Sequence, residues 1–124
     1  LEKVITTLEN HFKKKVNIVF GCGGNRDKGK REKMGKIVNK LCKKIIVTDD
    51  NPRDENPKEI TKQIFKSIDK GLVINSRKLA IKKGIQKTNH NELLLVAGKG
   101  HENYQIIKGK KFYFSDYEEI IKNL

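Results

Sequence analysis

The sequence has no tryptophan, two prolines, two cysteines and 6% aromatic residues over its 124 positions. Cys22 and Cys42 stand 20 residues apart and form no CxxC pair. A structural zinc site needs about four ligands, and a stapled secreted domain needs more cysteines than this. Reduced, cytosolic thiols are the expected reading. No apolar run approaches the roughly 18 residues of a membrane-crossing helix. The opening "LEKVITTLENHFKKK" carries acids inside its apolar pattern, unlike a secretory signal. Arginine is scarce as well: of 28 basic residues only Arg26, Arg31, Arg53 and Arg77 are arginine, against 24 lysines. Base readout and stacking lean on arginine and aromatic rings. The net charge of +13 is therefore read as a lysine-rich solvated surface, with a basic nucleic-acid-binding α/β module as the rival. Charge of this kind bears on solubility and encounter, not on fold. The chain opens on Leu1 rather than methionine, so a piece of a longer protein is expected.

What is present is periodic. Leu1, Val4, Ile5, Leu8 and Phe12 share a helical face. "VNIVFGCG" (16–23), "KIIVTDD" (44–50), "GLVIN" (71–75) and "ELLLVAGKG" (92–100) read as short apolar strands. Between them Met34, Ile37, Val38 and Leu41, then Ile60, Ile64, Phe65 and Ile68, recur at helical spacing. Asn56-Pro57 followed by Glu59 is a helix start. Ser76 can cap a helix carrying Leu79, Ala80 and Ile85. "YQIIKGKKFYF" (104–114) predicts a hairpin turning at Gly109, and Ser115-Asp116 opens a last helix. Alternation of strand and helix predicts an α/β fold: a Rossmann-like, mostly parallel sheet of about six strands, helices on both faces and an antiparallel hairpin at one edge. Residues 1–124 form one domain by size, with no linker or repeat.

Open parallel sheets bind ligands beyond the carboxyl ends of their strands. Three polar loops are expected there: "GCGGNRDKGKR" (21–31), "TDDNPRD" (48–54) and "AGKGHENYQ" (97–105). The first contains GxxxxGK over 24–30, but Arg31 follows where a phosphate-binding loop needs Ser or Thr for magnesium. Arg26 and Asp27 would also crowd a phosphate cradle. The favoured reading has this loop presenting Arg26 to an anion, helped by free N–H groups at the next helix start; a plain glycine-rich connection is the alternative. The second loop is a turn by its Asn-Pro step. In the third, His101 is an acid or base by type, yet a structural hydrogen bond is its commoner fate. Together Arg26, Arg53, Asp50, Asn51 and Glu102 suit a zwitterion. Arginine forks grip a carboxylate, and acid and amide oxygens accept from an ammonium.

"VFGCGGNRDKGKREKMGKI", "VTDDNPRDENP", "SRKLAI" and "LLVAGKGHENYQ" resemble, in order and spacing, the C-terminal domain of the Mur ligases. The likeness is nearest the branch that adds meso-diaminopimelate, the UDP-N-acetylmuramoyl-tripeptide synthetases. It implies the amino-acid-binding part of an ATP-dependent amide ligase of cytoplasmic peptidoglycan synthesis. That enzyme activates UDP-MurNAc-L-Ala-D-Glu as an acyl phosphate, which the amine of diaminopimelate attacks. The resemblance places diaminopimelate contacts on Arg26, Asp50, Asn51, Pro52, Arg53, Gly98 and Glu102. It assigns ATP and Mg2+ to a central domain, and the nucleotide sugar to an N-terminal domain, neither within these residues. No catalytic residue or metal ligand is expected here; nor is a membrane or nucleic-acid partner, and a monomer is expected. A lysine-adding relative is the second reading. Glu32 stands where relatives often have proline, at a position that only opens a helix.

Overall fold

The structure, a computed structural model, describes residues 1–99 and 102–124. Helix α1 (Glu2–Phe12) leads into strand β1 (Lys15–Phe20), followed by α2 (Gly29–Leu41), β2 (Ile45–Val47), α3 (Pro57–Phe65), β3 (Leu72–Val73), α4 (Arg77–Lys87) and β4 (Glu92–Ala97). The hairpin β5 (Tyr104–Ile107) and β6 (Lys110–Tyr113) comes next, then α5 (Asp116–Lys122). Local signals set several boundaries. Asn56 Oδ1 accepts from the Lys58 N–H with Pro57 at the first helical position. The Ser76 and Ser115 side chains cap α4 and α5. The hairpin turns through Lys108 (φ 50°) and Gly109 (φ 76°), the left-handed pair a two-residue turn requires.

The main sheet is parallel, in the order β3-β2-β1-β4. It holds four strands, not the six expected; β5 and β6 form a separate two-stranded sheet. The reason lies in where the outer edge of β5 finds partners. The Arg53 N–H donates to the Ile106 carbonyl at 2.9 Å, the Lys108 N–H donates to the Arg53 carbonyl, and the Ile106 N–H reaches Asn51 Oδ1 at 3.0 Å. The hairpin is satisfied by the loop after β2 and has no need of β4. As a result β4, the most apolar strand in the sequence, is an edge strand and stays half-buried.

Side chains alternate between two cores, as a pleated strand requires. Ile18, Phe20, Ile45 and Val47 face α1, α2 and α3 through Ile5, Val38, Ile60 and Ile64. Val19 and Ile46 face α4 and α5 through Ala80, Ile81 and Ile120. The expected helices on both faces are present. Two buried ionic ties fix the ends of the sheet. At the amino end, Glu92 accepts from the Asn89 N–H, Asn17 and Lys44, and pairs with Lys43 Nζ at 2.7 Å. The Asn89 N–H first, then the Lys43 and Lys44 ammonium groups, hold its carboxyl well below the usual carboxylate range. At the carboxyl end Arg77, 2% exposed, forks onto Asp116 with two 2.7 Å bonds and anchors α5.

Two outcomes follow for the 124-residue chain. Arg77→Met leaves Asp116 buried and unpaired, so unfolding in urea should show a loss of about 3–5 kcal/mol. For Glu92 the folded-state pKa is depressed, so its contribution is present above the unfolded value near 4.3 and is lost as pH falls below it. Urea midpoints taken from pH 6 down to pH 2.5 should fall less steeply for Glu92→Gln than for the parent chain; parallel curves would contradict the assignment.

Candidate functional site

The three polar loops converge at the carboxyl edge of the sheet, after β1, β2 and β4. Close approach begins at Gly24, where an added Cβ would overlap the Pro52 carbonyl. The Gly24 N–H donates to the Asn51 carbonyl at 2.7 Å. At Gly98 the backbone takes φ +118°, which favours glycine. A Cβ there would lie 3.6 Å from both Asp50 Oδ2 and the Gly21 carbonyl, so all three loops meet at this point.

Three buried cations tie them together. Arg31, 1% exposed, donates to Glu55 Oε2 (2.6 Å), Gln63 Oε1 (2.8 Å) and the Gly23 carbonyl (3.1 Å), joining the first loop to the second. Arg77 also donates to the carbonyls of Asp49 (3.0 Å) and Ala97 (3.1 Å), joining the second loop to the end of β4. Lys99, 3% exposed, places Nζ 3.1 Å from Asn51 Oδ1 and 3.3 Å from Asp50 Oδ1. It also donates to the Tyr104 carbonyl and lies 3.8 Å from Glu102 Oε1. Sequence reasoning missed all three roles. One signal was available for Lys99: a lysine enclosed by glycines directly after an apolar strand.

The residues singled out in the sequence divide into scaffold and presented groups. Asn51 is buried and its amide oxygen is spent on Lys99 and the Ile106 N–H, so it orders the loop. Pro52 is buried against Gly24. Arg53 has φ 54° and spends Nη1 on the Gly24 carbonyl at 2.9 Å. Arg26 is exposed. Both arginines pass over Gly23, where a Cβ would lie 2.6 Å from Arg53 Nη1 and 3.4 Å from Arg26 Cγ. Among the described residues neither forms an ion pair, while Asp50 Oδ1 is buried with no hydrogen bond. Arg53 Nη1 and the stem of Arg26 thus meet over Gly23, while Asp50 Oδ1 and half-exposed Glu102 are both linked to Lys99 Nζ, at 3.3 and 3.8 Å. A cleft of about 270 Å³ borders Arg26, Asp27, Lys30 and Asp50. Larger clefts exist, one of about 320 Å³ at the opposite sheet end, but only this edge gathers the three loops. Gly100 and His101 lie outside the described residues.

The GxxxxGK stretch is not a phosphate cradle. Gly24 is filled by Pro52, and Asp27 Oδ1 accepts from the Gly29 N–H at 2.9 Å, placing a carboxylate where an anion would bind the start of α2. The expected help from free N–H groups at that helix start is correspondingly reduced. Cys22 is no nucleophile: burial pushes its thiol up to about 11, and it points at Met34 Sδ, 3.5 Å away. The adjacent acids differ. Asp49 takes the Asn75 amide at 2.7 Å, with burial raising its pKa, whereas Asp50 faces the cleft.

Comparison with known proteins gives this geometry a context. The family model for the Mur ligase, glutamate ligase domain, matches residues 1–100. The chain is 52% identical over 126 residues to the UDP-N-acetylmuramoyl-L-alanyl-D-glutamate--2,6-diaminopimelate ligase of Rickettsia conorii, covering 98% of this chain and 26% of that one. A ligase of the same name from Prochlorococcus marinus is 45% identical, covering 100% and 25%. A solved structure of a ligase so named superimposes with a TM-score of 0.91 at 36% identity, covering 98% and 26%. The chain thus spans about a quarter of the length of these relatives. On the strength of the family match and these identities, the chain belongs to the Mur ligase family.

Proposed function

We propose that this chain is the amino-acid-binding domain of a longer ATP-dependent ligase that adds meso-diaminopimelate to UDP-MurNAc-L-Ala-D-Glu in peptidoglycan synthesis. The observation that carries the reading is the pairing of Arg26 and Arg53 over Gly23, with Asp50 and Glu102 alongside, in a chain about half identical to ligases named for 2,6-diaminopimelate. Diaminopimelate is lysine with a second carboxylate on its far carbon. The free edge of the Arg53 guanidinium and the exposed Arg26 suit that carboxylate. Asp50 and Glu102 suit the neighbouring ammonium. Gly98 lets the backbone pass close to Asp50, while Asn51 and Pro52 hold the loop. Lysine would leave the arginines without a partner, a form of discrimination that can reach roughly 10⁴–10⁵.

In this reading the domain contributes positioning. Gripping the far end leaves the near amine free to meet a carboxylate activated elsewhere in the protein. Among the described residues no three His, Cys, Asp or Glu side chains form a metal-holding group, and the glycine-rich loop is filled. In this reading ATP and Mg2+ are bound mainly by a central domain of the same protein, with the nucleotide sugar on an N-terminal one. No described helix is long and apolar enough to cross a membrane. The reading places the enzyme in the cytoplasm as a monomer, with neither membrane nor nucleic acid as partner and the lysine excess serving solubility.

Two measurements test it. The 124-residue chain mixed with ATP, UDP-MurNAc-dipeptide and meso-diaminopimelate should release no phosphate above background; turnover would contradict the division of labour. In the full-length enzyme, Arg53→Ala should lower kcat/KM for diaminopimelate at least about 30-fold, the effect of losing roughly 2 kcal/mol of charged hydrogen bonding. KM for ATP should stay within about twofold. If kcat/KM for diaminopimelate barely moves, the loop is misassigned.

A further inference from the structure

We propose that Lys99 is a specificity-determining residue: its buried ammonium is a built-in cation in the acidic half of the site, excluding amino acids whose far end carries an ammonium alone. The inference rests on the diaminopimelate reading above and extends it to a residue that reading leaves unused. Lys99 Nζ lies 3.3 Å from Asp50 Oδ1 and 3.8 Å from Glu102 Oε1. These are the two carboxylates available to a ligand ammonium. The Lys99 side chain is fully shielded from solvent, so its charge is not dissipated into water. It is fixed from the other side by Asn51 Oδ1 at 3.1 Å and by the Tyr104 carbonyl, and cannot swing clear without leaving both.

Count the charges a ligand meets. Arg26, Lys30, Arg53 and Lys99 are four cations, facing the carboxylates of Asp27, Asp50 and Glu102. The far end of diaminopimelate carries a carboxylate and an ammonium, with no net charge. Its carboxylate meets the arginines, and its ammonium shares acids whose charge Lys99 has partly neutralised. The far end of lysine is an ammonium alone. It brings a fifth cation to acids already engaged and offers nothing to the arginines. Attraction of the right substrate and repulsion of the wrong one then act together, which is how specificity beyond raw affinity arises. Without Lys99, Asp50 Oδ1 would lose the ion pair that now occupies it, 3.3 Å from Nζ, and would become an acceptor for lysine.

The test is the ratio of kcat/KM for meso-diaminopimelate to that for L-lysine in the full-length enzyme. Lys99→Met should lower this ratio at least about tenfold, with lysine gaining on diaminopimelate, and Lys99→Arg should keep it within about threefold. A purely structural lysine would depress both substrates alike and leave the ratio in place. Should Lys99→Met fail to fold, Asn51→Asp decides. It keeps an oxygen for Lys99 and the Ile106 N–H while adding a carboxylate to the cluster, and should shift the ratio the same way by about tenfold. A ratio unchanged within about threefold in the variants that fold would overturn the proposal. Failure of the parent enzyme to use diaminopimelate would overturn the reading beneath it, and the proposal with it.

Discussion

An ammonium removed from water must be surrounded by oxygens, and much of the carboxyl edge of this fold is arranged around that requirement at Lys99. Its Nζ draws in Asn51 from the loop after β2, Tyr104 from the start of the hairpin and Asp50 from beside the cleft. Asn51 then accepts the Ile106 N–H and so holds β5 alongside its own loop. Arg31 and Arg77 meet the same requirement at the other two junctions, each ending on a carboxylate and on backbone carbonyls. Removing a partner from such a cluster exposes the full desolvation cost of what remains. These cations therefore hold the described parts of the three loops firmly to one another.

That firmness lets neighbouring residues take opposite parts. Asp49 is turned inward to Asn75 and Asp50 outward to the cleft. Arg31 is fully buried in the scaffold while Arg26, five positions earlier, is exposed. Arg53 does both, bracing Gly24 with one edge of its guanidinium and, among the described residues, making no bond with the other. Its left-handed backbone, φ 54°, costs of order 1 kcal/mol for a side chain with a Cβ. The bonds from its N–H to Ile106 and from Lys108 to its carbonyl offset that cost.

Much of the architecture was legible in the sequence because its signals are local. Alternating apolar runs gave the strands, and Asn56-Pro57, Ser76 and Ser115 gave helix starts the structure reproduces. The three loops and their common edge followed from a parallel sheet. What could not be read was tertiary. The hairpin leaves the main sheet because its edge is satisfied by Asn51 and Arg53, some 50 residues earlier, and no local pattern records that pairing. In a chain with 24 lysines, a solvated surface is a fair reading of lysine in general and the wrong one for Lys99. The motif around 24–30 pointed to a phosphate loop by spacing alone; Pro52 and Asp27, which fill it, act through space and through a turn.

Buried cations hold the loops, and in the proposed function the outward guanidinium groups receive the ligand. A crystal structure of the full-length enzyme with meso-diaminopimelate bound tests this most directly. The far carboxylate of the ligand should lie against Arg53 and Arg26, with Lys99 Nζ still on Asn51 Oδ1 and the Tyr104 carbonyl. Diaminopimelate bound away from these arginines, or Lys99 swung out to take the ligand carboxylate, would contradict it.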